Sequence, residues 1–250
     1  MHGVVHTKQQ KGGQMKGKLV AALVVGICIM GCGVEAMAQQ VSTIIRVNTD
    51  DTAAYLAWAE ESIPIVMAAT DVPGAGGVCV PMFGAEQEGD IYVWTTTPSF
   101  AAALSVDLDA PAAAREIAKV APIRTVVSRD LRTTIKPGGT PVTGATFSML
   151  GLTVETDQVD LYTTLITEFE EALHQNGFRD VNMAASNVTT GEFAGRIAVR
   201  LMAPTAERLG AMMDANQSES WATELLSQIG GIRSIVQQMV HSCHVYAVQQ

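Results

Sequence analysis

The chain has 250 residues, 48% hydrophobic, 16% charged and 5% aromatic, with a formal net charge of −9 at pH 7. That apolar fraction excludes a disordered acidic tail and a collagen-like fibre, and the length suits one large domain or two of about 100 residues. Sixteen Lys+Arg against 25 Asp+Glu argue against a nucleic-acid partner and against a basic face for anionic membranes.

The chain opens with export signals. Lys16 and Lys18 form a basic region, Leu19–Met30 an apolar run of 12 residues, and Ala36-Met37-Ala38 a small-x-small pattern, the layout of a secretory signal peptide over residues 1–38. Twelve residues fall short of the roughly 20 that span a bilayer, which makes a membrane anchor the weaker alternative. Ile29-Met30-Gly31-Cys32 approximates a lipidation motif that would make a lipoprotein through Cys32, though Met30 fits it poorly. Translation could start at Met1 or at Met15. Cleavage after Ala38 leaves 212 residues with 12 basic and 24 acidic side chains, a net charge of −12, and the cysteines Cys79 and Cys243. No later apolar run reaches membrane length, so a periplasmic or secreted protein without a stable membrane span is expected.

Alternation predicts a strand over Val41–Val47, and Thr49-Asp50-Asp51 caps a helix carrying Tyr55, Trp58 and Ala59. Pro64 is expected to break or kink that helix, and Pro73–Gly77 to form a turn beyond it. Val78–Phe83 and Ile91–Thr96 read as a hairpin, 99–120 as a helix interrupted near Pro111, and Arg124–Ile135 as a strand. Lys136–Gly144, rich in Pro and Gly, reads as a connector. A second series follows: strand 146–154, helix 158–175, strands 181–188 and 195–203, a broken helix 205–229, and strand 233–247.

The two series are one unit written twice. Gly89-Asp-Ile-Tyr-Val-Trp, ending in Pro98-Ser99, returns 106 residues later as Gly195-Arg-Ile-Ala-Val-Arg, ending in Pro204-Thr205. Ile123-Arg-Thr-Val-Val127 returns as Ile232-Arg-Ser-Ile-Val236, and Val47-Asn-Thr49-Asp50 as Val154-Glu-Thr156-Asp157. The order βαββαβ, twice, is a tandem ferredoxin-like repeat of class α+β: unit 1 over 39–137, a linker at 138–144 and unit 2 over 145–250.

On this duplicated order the chain resembles the dimeric α+β-barrel superfamily, which includes antibiotic-biosynthesis-type monooxygenases, haem-degrading monooxygenases and chlorite-dismutase-like proteins. The resemblance implies an intramolecular barrel and a pocket between helices and sheet in each half. It also places the second strand of one unit beside the fourth of the other, so a Cys79–Cys243 disulfide is expected, with two buried free thiols as the alternative.

Chemistry-bearing motifs are sparse. His241-Ser-Cys243-His244 lies on a predicted strand whose alternation sends His241 and Cys243 one way and His244 the other. These residues cannot converge on a structural zinc, and no metal is expected. Haem, which needs one proximal imidazole, is the one cofactor left open, through His241. There is no Gly-x-Ser-x-Gly, and no catalytic set can be named. Glu168, Glu170 and Glu171 read as a solvated helix face. Arg124 and Arg233, kept in both units, read as anchors of each unit. The halves differ on their third strands, where Tyr92 and Trp94 correspond to Ala198 and Arg200. Tyr92, Trp94, Arg200 and His241 are therefore the candidate ligand-binding residues, with Trp94 filling space left by Ala198, Arg200 pairing with an acid or reaching solvent, and His241 simply hydrogen-bonded on its strand as the bland alternatives. The function expected is an exported binding or accessory protein for an unspecified small molecule or protein partner. The alternatives are a haem-dependent or cofactor-independent oxygenase-like enzyme and a structural or assembly protein.

Overall fold

The computed structural model describes residues 40–249, so the expected signal peptide, Cys32 and the choice between Met1 and Met15 lie outside the described residues. The first half runs β1 (Val41–Asn48), α1 (Thr52–Thr70), β2 (Gly74–Phe83), β3 (Asp90–Thr97), α2 (Phe100–Leu104), α3 (Pro111–Val120) and β4 (Thr125–Lys136). The second repeats it with β5 (Thr146–Glu155), α4 (Val159–Gln175), β6 (Asn182–Val188), β7 (Ile197–Ala203), α5 (Ala206–Ser218), α6 (Ser220–Gly230) and β8 (Ser234–Gln249). The recurring Pro-Ser/Thr dipeptide has the same task in both halves. Ser99 accepts from the Ala102 amide and Thr205 from the Arg208 amide, each satisfying a donor left free at the start of the helix after the third strand.

All eight strands are antiparallel to their neighbours and close into one barrel in the order β1-β3-β2-β8-β5-β7-β6-β4. The two units join through β2 with β8 and β4 with β6. Closure leaves no sheet edge along the barrel's middle and gives every strand an inner and an outer face. Helices cover the outer face with two apolar cores, one around Val47, Tyr55, Ile63 and Ile91, the other around Val154, Tyr162, Phe169 and Ile197. Among the described residues no helix is long and apolar enough to cross a membrane.

Packing overrides two local signals. Helix α1 continues through Pro64, because Tyr55, Ala59, Ile63 and Met67 bury one stripe along its full length, outweighing the missing amide. Gly74–Gly77 form the start of β2 instead of a turn. There the absence of side chains admits close neighbours: a Cβ at Gly76 would stand 2.5 Å from Met67 Sδ, and one at Gly77 2.7 Å from the Trp94 ring.

Arg124 and Arg233 sit at the start of the fourth strand of each unit and meet the same partner. Arg124 donates to the Tyr55 hydroxyl at 3.3 Å and Arg233 to that of Tyr162 at 2.8 Å. Both tyrosines are fully buried, so the guanidinium satisfies a hydroxyl that would otherwise lack a partner in the core. Glu170 departs from its expected solvated place: it pairs with Lys136 and accepts from the Met183 amide, tying α4 to β4 and β6.

Candidate functional site

The barrel interior holds a chamber of about 860 Å³. Alternation along the strands decides what faces it: Arg46 from β1, Cys79 from β2, Tyr92 and Trp94 from β3, Asp130 and Arg132 from β4, Met149 from β5, Arg200 and Met202 from β7, Met239 and His241 from β8. The four residues singled out from sequence, Tyr92, Trp94, Arg200 and His241, thus line one chamber. Pro137–Val142 lie across one end, and Glu86, Glu192 and Phe193 stand at the other.

The disulfide belongs to the same wall. Cys79 and Cys243 are register partners on β2 and β8 with Cα atoms 4.0 Å apart, and their sulfurs are bonded. Met149, Tyr92, Trp94, Phe147 and Met202 pack around them.

Three arginines carry the electrostatics, and their surroundings differ. Arg46 is matched, pairing with Glu86 and with Asp90 at 2.7 Å; Glu86 also accepts from Gln237 of β8, linking the two units at that end. Arg132 forms no ion pair among the described residues, though the Asp130 carboxylate lies close enough to act on it; burial is the larger influence and draws its pKa down. Arg200 donates to the Ser186 hydroxyl at 3.0 Å and meets no acid. Burial, with a smaller push from Arg132, lowers its pKa to about 10. An ordinary ion pair for Arg200 is therefore not what the structure contains.

Several buried polar atoms of the lining residues lack partners: Nε of Arg46, Arg132 and Arg200, Nε1 of Trp94, Nδ1 of His241 and Oδ1 of Asp130. Buried polar atoms are ordinarily satisfied. His241 is 3% exposed, stands edge-on to Tyr92 with ring centres 5.4 Å apart, and has its pKa pushed down to about 4 by burial and by Arg132. It is a neutral imidazole at neutral pH. Burial likewise raises the Tyr92 hydroxyl to about 12, so that it stays protonated.

Solved structures share this architecture. A protein assigned as a monooxygenase from Lactobacillus acidophilus NCFM superposes with a TM-score of 0.57 at 12% identity, covering 85% of this chain and 96% of that one. An anthrone oxidase-like protein gives 0.56 at 9% identity over 84% and 95%, and a protein assigned as a chlorite dismutase 0.52 at 8% over 83% and 95%. The chain has the dimeric α+β-barrel fold. At these identities the likeness concerns fold alone. No protein-family model matches the chain, and no curated protein matches it in sequence.

The resemblance implied a pocket between helices and sheet in each half. In the first unit core side chains pack in that layer. In the second it leaves a hollow of about 240 Å³ lined by residues such as Leu150, Ile166, Phe169 and Met213, with no histidine, cysteine or tyrosine. Among the described residues no three His, Cys, Asp or Glu side chains are grouped to hold a metal ion. Of the described histidines, His174 contacts the Val181 carbonyl, His244 stacks on Tyr246, and His241 alone faces the chamber. Sequence reasoning missed Arg132, Asp130 and Arg46. Their only signal was partial: Ser42 and Arg46 on β1 and Ser128, Asp130 and Arg132 on β4 share a parity, but Ile44 and Val126 interrupt it and Thr43, Arg129 and Thr133 stand on the opposite one.

Proposed function

We propose that the protein is an exported binder of a small organic molecule, which it holds inside the barrel. The observation that carries this reading is the chamber itself: about 860 Å³ lies within the range of small-molecule sites. Its wall combines aromatic and thioether surface with polar atoms that have no partner in the protein. A barrel filled for stability alone would use apolar side chains there, which weighs against the assembly-protein reading. The disulfide is in keeping with export to an oxidising compartment.

The test is native mass spectrometry of protein recovered from its own host, with denatured protein as control. A non-covalent adduct of small-molecule mass, lost when Ala184→Trp fills the chamber, supports the reading. An adduct-free protein that also fails to take up 1-anilinonaphthalene-8-sulfonate or 2-naphthamide overturns it.

A second reading is an oxygenase, following the monooxygenase and oxidase-like names of the structural neighbours. His241 favours it. A neutral, buried imidazole with a free ring nitrogen can accept a proton from an acidic substrate or serve as the single proximal ligand of haem. A Soret band after haemin reconstitution that His241→Gln removes would support the haem form, and absence of the band would exclude it.

A further inference from the structure

We infer that the ligand is an aromatic carboxylate, its carboxylate held by Arg200 and Arg132 and its ring lying against Trp94 and the neighbouring thioethers. This inference rests on the chamber reading above and adds the chemistry of what fills it.

The local charge around Arg200 points to an anion. Arg46 has two acids, whereas Arg200 has none, and the one charged group acting on it is another cation, Arg132. Two buried guanidinium groups near enough to act on each other repel, and neither has an acid paired to it among the described residues, whereas the unpartnered Nε is common to all three arginines. A buried cation in this state is costly unless something completes it. One carboxylate placed between the two would accept from both forks and remove the repulsion. Asp130 does not serve this purpose: it makes no ion pair with Arg132, and burial raises its own pKa.

The fold has also cleared space for such a group. Between β4, which carries Arg132, and β7, which carries Arg200, runs β6, whose inward positions include the small residues Ala184 and Ser186 beside Asn182. Ser186 holds the Arg200 guanidinium at 3.0 Å, fixing its orientation before any ligand arrives. His241, kept neutral, adds no competing charge.

The remainder of the wall suits a flat apolar body. Trp94, Tyr92 and Phe147 offer ring surface, while Met149, Met202 and Met239 supply polarisable sulfur that packs against aromatic rings. The indole N–H of Trp94 is free to donate, which allows one further acceptor on the ring.

The experiment compares 2-naphthoate with its uncharged analogue 2-naphthamide, titrated calorimetrically at pH 7 into wild-type protein and the variants Arg200→Met and Arg200→Lys, with circular dichroism as the folding check. The expected result is naphthoate binding at least about tenfold tighter than naphthamide to wild type. That preference should vanish in Arg200→Met and survive in part in Arg200→Lys. Equal affinities for the two probes in wild type would overturn the anion inference and leave the chamber reading standing. Binding of neither probe to folded protein would overturn the aromatic-carboxylate inference, and the chamber reading would fall with it only if the protein recovered from its host also carries no adduct.

Discussion

Gly77 of β2 lies directly across from Trp94 of β3 and beneath its indole ring. A Cβ at Gly77 would stand 2.7 Å from the ring and 2.0 Å from the His244 carbonyl oxygen on the other neighbouring strand. The second contact is with backbone, which cannot swing aside. Gly77→Ala is therefore expected to cost about 1–3 kcal/mol, the usual range for overpacking, and to displace Trp94 from the chamber wall. Urea unfolding and the tryptophan emission maximum report the two effects. A variant as stable as wild type would mean that β2 and β8 do not approach as described.

The disulfide ties the two units at their β2–β8 seam, between residues 164 apart in sequence. In the loop-entropy model a closure of that length contributes on the order of 4–5 kcal/mol, chiefly by restricting the unfolded chain. Reductant, or Cys79→Ala with Cys243→Ala, should lower the denaturation midpoint of the oxidised protein markedly. Because Cys79 also faces the chamber, reduction should loosen Trp94 and weaken any bound ligand as well. Finding two free thiols in unfolded, unreduced protein would contradict the bond.

How much of this was legible in the sequence depends on which neighbours a residue has. Duplicated features such as Pro-Ser/Thr at the helix starts and Arg124 with Arg233 could be read because each half serves as a control for the other. The alternation on β3 and β7 likewise put Tyr92, Trp94 and Arg200 on one face. The inside of the barrel was not legible as the site, since the sequence does not say which face of a strand turns inward. Gly74–Gly77 misled for a related reason: glycine marks a turn or a close approach, and only the position of Trp94 and Met67 decides between them. Pro64 shows the opposite bias, a local preference overridden by a buried helical stripe.

The repeated arginine–tyrosine pair allows a comparison within one molecule. Arg233 reaches Tyr162 at 2.8 Å and Arg124 reaches Tyr55 at 3.3 Å, and Arg124 also lies over the Trp58 ring at 5.7 Å. Tyr162→Phe should cost about 1.5–3 kcal/mol, as for a hydrogen bond to a charged group. Tyr55→Phe should cost less, since its bond is longer and Arg124 keeps the indole contact. Equilibrium unfolding of both variants gives the order, and a larger loss for Tyr55→Phe would reverse the assignment.

His241 sets a pH dependence whose sign follows from its environment. Burial and Arg132 hold its folded pKa near 4, against about 6.5 for an exposed histidine. As pH falls from 7 towards 4, the unfolded chain takes up a proton that the folded chain refuses, so stability declines across that window and levels off below it. The difference amounts to on the order of 3 kcal/mol between the two limits. Asp130, whose folded pKa is raised, works in the opposite sense, and Asp180, whose pKa Arg208 lowers, in the same sense. The contribution of His241 is therefore read as a difference from His241→Gln. Unfolding free energies of the two proteins, measured from pH 7.5 to pH 4, should show the wild type losing more stability than the variant. Parallel curves would mean that His241 is protonated in the folded barrel, and its assignment as the neutral imidazole of the chamber would fall.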